Sequence, residues 1–522
     1  MKGMGAAATV VSISILASRV LGFLRDVFLA DLLGASEQTS VYFAAFVVPD
    51  TLFYLMAGGY LSITFIPIVA RYLVSDDAIG ANRAFAAIAK PLTIFMVAIT
   101  VIAMITANQL VQWAFVDFAD LMGAENALTP DQLPEVVRLM RLVLPAQVFF
   151  VLGSLLMAVQ YAHRRFLIPA LAPLIYNFGI IAGGLAWSIL SEPDPFGFAL
   201  GALVGSIIGN FGIQVWGARR AGLRWVTGTS VREPDVRTYF ALALPLMLGQ
   251  SVAVLDEQFV KLFGNLLETD SLSQLNFGRR LNMLPVGVIA QAAGVAAYPF
   301  LARLVAEQKM IEFHVALHRA LRMTIFMAAG ATAAVLATTQ PAVQVALQRG
   351  QFDAADTMAT AAALAILGWS IPLWAAHQIY GRAFYARMWM WTPVAIGTVW
   401  SVLGVTLVYP QLIKIYGQNG VPMASVVTML GYTVTLAVAW YRANGVQGLD
   451  EVAATTVRSA ISAAAAGCAA WWITGLIVGG SDSSGRAVFG LSAAAIVVAV
   501  IYCGVQKALG ASEIQELRGV RS

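Results

Sequence analysis

Charge is what this chain has least of. Asp, Glu, Lys and Arg make up 11% of its 522 residues while 59% are hydrophobic, against roughly a quarter charged in an ordinary soluble domain. So much apolar surface excludes a soluble globular fold. Cysteine is nearly missing: Cys468 and Cys503 both fall inside apolar runs, which excludes a disulfide framework or a thiolate metal site and leaves them as small packing residues. Histidine is also scarce. His314 and His318 are spaced i, i+4 as on a zinc-binding helix, but Val315-Ala316-Leu317 between them holds no glutamate and no third ligand is in view, so a solvated cytoplasmic face is expected. His377 stands alone in an apolar run and is expected to be packed. No glycine-rich loop with its lysine is present to cradle phosphates, so no built-in ATPase is expected. Nor does a nucleophile, base and metal-ligand set converge. The chain reads as a non-enzyme with no cofactor and no nucleic-acid partner.

What is there is a series of apolar runs of roughly 20 to 30 residues, which is spanning length for a helix. The runs are continuous rather than alternating, which excludes a β-barrel and leaves a helical bundle. They predict an all-α membrane protein of about fourteen transmembrane helices. The expected spans are 8–33, 38–70, 85–114, 136–162, 167–190, 196–217, 236–266, 272–304, 317–339, 355–384, 391–410, 419–441, 454–478 and 486–507. Lys2 and the small apolar residues after it look like a signal peptide, but the apolar pattern continues past Arg19 to Leu33. An uncleaved first helix is therefore expected. The connecting loops alternate in charge. Arg71 and Arg83 mark 71–83, whereas 115–135 carries Asp117, Asp120, Glu125, Asp131 and Glu135 without Lys or Arg. His163-Arg164-Arg165, the 218–235 loop with Arg219, Arg220, Arg224 and Arg232, and the later Arg303, Lys309, Arg319, Arg322, Arg382 and Arg387 continue the basic series. By the positive-inside rule these loops and both termini are cytoplasmic.

An internal repeat shows in the motifs. Phe65-Ile66-Pro67-Ile68-Val69-Ala70-Arg71 corresponds to Ala297-Tyr298-Pro299-Phe300-Leu301-Ala302-Arg303, and Tyr161-Ala162 before Pro169 corresponds to Tyr385-Ala386 before Pro393. Two pseudo-symmetric six-helix lobes of like orientation are expected, as parallel repeats. They would occupy 1–218 and 236–443, joined by a cytoplasmic loop at 219–235 and followed by two further helices and a tail over 444–522.

Ionisable groups inside a span cost about 2.5–3.5 kcal/mol each and usually face a partner or an aqueous cavity. Arg19, Arg25 and Asp26 lie in the first span. Arg19 and Asp26 are seven apart and share a face, so they are either a structural pair or part of a site, while Arg25 points elsewhere unless Gly22 bends the helix. In the seventh span Glu257 and Lys261 are placed to pair at i, i+4. Asp256 is left without a local partner, which makes it a candidate for ion coupling or for pairing with an arginine of the other lobe. Arg279 and Arg280 open the eighth span. Two adjacent guanidinium groups suit a pyrophosphate, and anchoring at the outer headgroups is the alternative, fitting Arg279 better than Arg280.

Ser18-Arg19-Val20-Leu21-Gly22-Phe23-Leu24-Arg25-Asp26, Gly34-Ala35 and Phe65-Ile66-Pro67 resemble the N-terminal signature of the MurJ (MviN) lipid II flippases, members of the multidrug/oligosaccharidyl-lipid/polysaccharide exporter superfamily. Further matches are Leu244-Pro245, Arg280-Leu281 before Pro285-Val286-Gly287-Val288, Gln348-Arg349-Gly350-Gln351-Phe352-Asp353, Arg382-Ala383-Phe384-Tyr385-Ala386-Arg387 and Thr392-Pro393-Val394. The resemblance implies a V of two lobes around a cationic cavity, through which the pyrophosphate and sugars of a lipid-linked precursor cross while its polyprenyl tail stays in lipid. It makes Arg19, Arg25 and Arg280 the cavity arginines, with Arg279 beside them and Asp26 and Arg387 as secondary candidates. It implies lipid II and membrane lipids as partners, cell-wall synthesis or division proteins as further ones, the bacterial inner membrane as location, and resetting by membrane potential or an ion gradient. The chain departs from the family where Ser40 stands for an Asp, Phe53 for an Arg nearby, and Gly58-Gly59 lacks the preceding Glu. Met388-Trp389-Met390-Trp391 replaces a polar stretch, and Ser401 and Gly404 stand where a helix-eleven Asn is usual.

Overall fold

The computed structural model describes residues 2–56, 60–122, 128–163, 165–230, 232–248, 252–267, 270–479 and 483–517. Among the described residues no strand occurs, and the expected spans lie largely on helix. Among the described residues nine helical stretches are long and apolar enough to cross a membrane, one of them a 54-residue tract, Trp391–Asn444, that holds two of the expected spans. The protein is a multi-pass membrane protein. The second expected span is interrupted at Phe46, between the helices Glu37–Ala45 and Val47–Met56, and its later part lies on Tyr60–Val74. Outward faces carry large apolar side chains such as Trp471, Trp472 and Phe489, a pattern made for lipid rather than water. Cys468 and Cys503 also lie exposed, not packed inside as expected, because a membrane helix has apolar residues on its outer face too.

The chain forms two compact units, one made of residues 1–250 with 265–273 and the other of 251–264 with 274–522. In the first, the Leu167–Leu190 and Pro195–Arg220 helices touch backbone to backbone. A Cβ on Gly201 would lie 2.3 Å from the Gly179 carbonyl oxygen, so glycine is required there, as is common where membrane helices pack closely. Residues 206–212 form a π-helical stretch, and its altered hydrogen-bonding is met by Gln214, whose Nε2 donates to the carbonyls of Gly209 at 3.1 Å and Ile168 at 3.2 Å.

The division does not fall in the 219–235 loop. The Pro234–Leu248 helix groups with the first unit, where Asp235 accepts from Arg71 Nη2 at 2.9 Å and from the Tyr72 hydroxyl at 2.6 Å. Glu233 likewise accepts from Arg83 Nε at 2.8 Å. Counting Lys and Arg orients loops but does not see which acidic residue they pair with.

The core of the second unit is built on Phe313, Leu317, Leu321, Trp374, Ile379 and Trp440. The Leu449–Val478 and Ser484–Ala508 helices pack on the Met310–Ala337 helix through Ala333, Ala466, Ala470 and Ala494, small side chains that let helices approach in lipid. The chain end docks there as well: buried Glu513 accepts from Arg322 Nε at 2.9 Å and Thr455 Oγ1 at 2.6 Å, and Arg319 pairs with Glu516 at 2.9 Å. His318 is buried with its ring stacked on Tyr441, so the solvated face expected at 314–318 does not extend to it. His377 packs against Tyr432 and Trp374.

The repeat is visible in backbone geometry. Asp76 and Gln308, 232 residues apart, both have positive φ, 53° and 59°. The next amide donates five residues back in each case, Asp77 to Tyr72 at 2.8 Å and Lys309 to Leu304 at 2.9 Å. At an offset of 224, Arg165 donates to Gln160 at 2.8 Å and Trp389 to Phe384 at 2.9 Å. These are paired helix terminations of one design.

Candidate functional site

The first charged cluster is on the Lys2–Leu33 helix, which continues unbroken through Gly22. The open side of Gly22 faces the Asn177 amide, so this glycine admits a neighbour instead of bending the helix. Asp26 is buried and accepts from its sequence neighbour: Arg25 Nε and Nη2 donate to Asp26 Oδ1 at 3.0 and 2.9 Å. Arg25 Nη1 also donates to Asn177 Oδ1 at 3.1 Å, and Asn177 Nδ2 donates to the Pro173 carbonyl at 3.0 Å. Consecutive residues point about 100° apart on a helix, but an arginine stem is long enough to fold across that angle. The Arg25 side chain keeps 21% of its surface exposed, and Arg19 is half-exposed on the same helix.

The second cluster is built by four helical segments of the second unit. Asp256, on Val252–Gly264, is buried with both oxygens engaged: Oδ2 accepts from Arg279 Nη2 at 3.0 Å, and Oδ1 accepts from Ser425 Oγ at 2.6 Å and the Tyr409 hydroxyl at 3.4 Å. Arg279 comes from Ser271–Ala306, Tyr409 from Tyr409–Tyr416 and Ser425 from Gly420–Asn444. Asp256 pairs with an arginine of its own unit rather than of the other lobe, and Arg279 is buried on that carboxylate. The spacing of 23 residues hides the pair from any local rule. Lys261 and Glu257 do pair at i, i+4, at 3.3 Å, with Lys261 buried. Arg280 is half-exposed. Counting Asp256, Glu257, Lys261, Arg279 and Arg280, three cations face two carboxylates, a surplus of one positive charge.

Arg387 is engaged structurally: its Nη1 donates to Asn444 Oδ1, and its guanidinium lies 4.1 Å from the Trp389 ring centroid. The departures from the family pattern have packing roles. Phe53 sits 5.3 Å from Phe150, which meets Tyr176 at 5.1 Å. Ser40 and Ser401 are buried, and Gly404 opens a π-helical stretch, 404–408. Gly58 lies outside the described residues. Among the described residues no group of three His, Cys, Asp or Glu is placed to hold a metal. Asn177, Tyr409 and Ser425 were not singled out in the sequence; a polar side chain amid apolar residues was the only signal available.

A family model described as lipid II flippase MurJ matches residues 29–481. The chain belongs to the MurJ family. It is 26% identical over 515 residues to a probable lipid II flippase MurJ of Rhizobium meliloti, covering 96% of this chain and 93% of that relative. To a probable MurJ of Vibrio cholerae it is 25% identical over 490 residues, covering 92% and 88%. A solved lipid II flippase MurJ in an inward closed conformation matches with a TM-score of 0.76 at 18% identity, covering 96% of this chain and 99% of the other. An inward-facing multidrug resistance MATE transporter of the MOP superfamily matches at 0.62 with 14% identity, covering 84% and 95%. At these identities the structural matches show the MurJ and MATE fold, which the superfamily resemblance implied.

Proposed function

We propose that this protein moves lipid II, a polyprenyl-pyrophosphate-linked saccharide, from the cytoplasmic to the outer leaflet of the bacterial inner membrane by alternating access. The observation that carries this reading is the MurJ family match over 29–481. The two charged clusters supply its chemistry: Arg19 and Arg25 in the first unit and Arg280 in the second are each partly exposed, and planar guanidinium groups bind phosphate oxygens bidentately. Such contacts offset the cost of carrying a pyrophosphate through a region of low dielectric. Both termini lie in the cytoplasm in this reading, following the basic loops. Membrane potential, worth about 2.3 kcal/mol per charge per 100 mV, or an ion gradient resets the transporter. Cell-wall synthesis or division proteins are natural partners for the product at the outer face. Depleting the protein from cells that have no second flippase, then probing newly made lipid II from outside, tests this. Loss of accessible lipid II is the expected outcome, and undiminished export contradicts it.

A further inference from the structure

The Ser271–Ala306 helix sends two consecutive arginines into different surroundings. Leu275, Arg279, Asn282 and Val286 recur at i, i+4, i+7 and i+11 and are all buried, forming one stripe. Arg280 falls on another stripe with Leu284 and Val288, which are 37% and 59% exposed. The buried stripe is pinned at both of its polar positions. Arg279 bonds to Asp256, itself held by Ser425 and Tyr409, and the Tyr409 ring stacks on Phe263 at 4.5 Å. One turn on, Asn282 Nδ2 donates to Ser370 Oγ at 3.0 Å, and that hydroxyl donates to the Leu367 carbonyl at 2.6 Å. Two polar contacts to different helices thus set the rotation of the helix about its axis. A one-residue rotation, about 100°, would bury Arg280, expose Arg279 and remove Arg279 from the Asp256 carboxylate.

We propose that Arg279 and Asp256 are positioning residues for translocation. Their buried pair fixes the rotation of the Ser271–Ala306 helix so that the Arg280 guanidinium is presented to the pyrophosphate, and Arg279 does not itself touch substrate. The tethered guanidinium also fills the place at Asp256 that a coupling cation would need. This inference rests on the reading above, in which Arg280 binds the pyrophosphate.

The test uses the full chain in lipid nanodiscs, titrated with a polyprenyl pyrophosphate, with thermal unfolding followed on each variant. Arg280→Ala is expected to weaken binding about tenfold or more with little change in melting. The double variant Asp256→Leu/Arg279→Met exchanges a buried ion pair for apolar side chains, a change that is often neutral for folding. It is expected to melt near the parent yet bind about tenfold more weakly, because nothing then specifies the rotation. Asp256→Asn keeps the shape and a hydrogen-bond acceptor but loses the charge; it is expected to melt below the parent while folded at the binding temperature, and to weaken binding by a smaller factor. Binding equal to the parent in both the double variant and Asp256→Asn, while Arg280→Ala still loses it, overturns this inference and leaves the flippase reading standing. If the double variant does not fold, parent-like binding by Asp256→Asn alone overturns it. Parent-like binding by Arg280→Ala overturns the reading underneath.

Discussion

The two charged clusters use the same ingredients to different ends. On the Lys2–Leu33 helix, arginine and carboxylate are neighbours in sequence, Arg25 beside Asp26, and the arginine side chain stays 21% exposed. In the second unit the partners are 23 residues apart on separate helices, and the Arg279 side chain is 9% exposed. A pair formed within one helix steadies a guanidinium without closing it off. A pair formed between helices joins them and hides both charges, while the next residue, Arg280, is partly exposed. Similar substitutions should therefore affect folding in one place and substrate handling in the other.

The largest expected effect is on stability. Asp256→Ala leaves Arg279 buried without its carboxylate and should cost about 3–5 kcal/mol, read as a large drop in the melting temperature of the detergent-solubilised protein. Asp26→Ala leaves an arginine that water reaches and should cost about 1 kcal/mol or less; equal losses from the two would break the comparison. Next comes function without instability. Arg25→Lys keeps a charge beside Asp26 but loses the planar fork, and should lower translocation about tenfold at nearly unchanged melting. Asn177→Ala removes one acceptor that orients Arg25 and should lower translocation about threefold, measured like that of Arg25→Lys with the protein reconstituted into vesicles.

The smallest effect concerns a carboxylate at the edge of the protein rather than in its spans. Burial alone would raise the Glu513 carboxyl, but the hydrogen bond from Thr455, a backbone bond and the Arg322 guanidinium outweigh it and hold it below the usual carboxylate range. A lowered folded value means that the stability Glu513 contributes is complete above the unfolded carboxylate value, near 4.3, and is lost as pH falls through the folded one. Proteolysis of the C-terminal tail should therefore accelerate only on acidification below that range, and Glu513→Gln should give a fast-cleaved tail at neutral pH. A tail equally protected in both forms contradicts this.

Much of the fold was legible because lipid imposes a single rule. Apolar runs of spanning length must be helical, and among the described residues the expected spans lie largely on helix. The repeat was legible as well, since Phe65-Ile66-Pro67 and its counterpart precede the paired terminations at Asp76 and Gln308. The interruption of the second span at Phe46 was not, because Ala44-Ala45-Phe46-Val47-Val48 is apolar on both sides of it and hydropathy does not register a turn. Among the site residues, the Glu257–Lys261 pair followed from i, i+4 spacing, while Arg279 on Asp256 depends on which helices meet, and no local pattern holds that. Arg25 on Asp26 was missed for a different reason: helical phase gives the direction of Cβ but not the reach of a long side chain.

Carriage of lipid II across a bilayer on Arg19, Arg25 and Arg280, as proposed above, is open to direct measurement. Purified protein reconstituted into vesicles with lipid II in the inner leaflet, and the saccharide probed from outside over time, measures this directly. The parent should expose the lipid, and Arg280→Ala, folded and inserted equally well, should not. Equal exposure by the parent, by Arg280→Ala and by protein-free vesicles would contradict it.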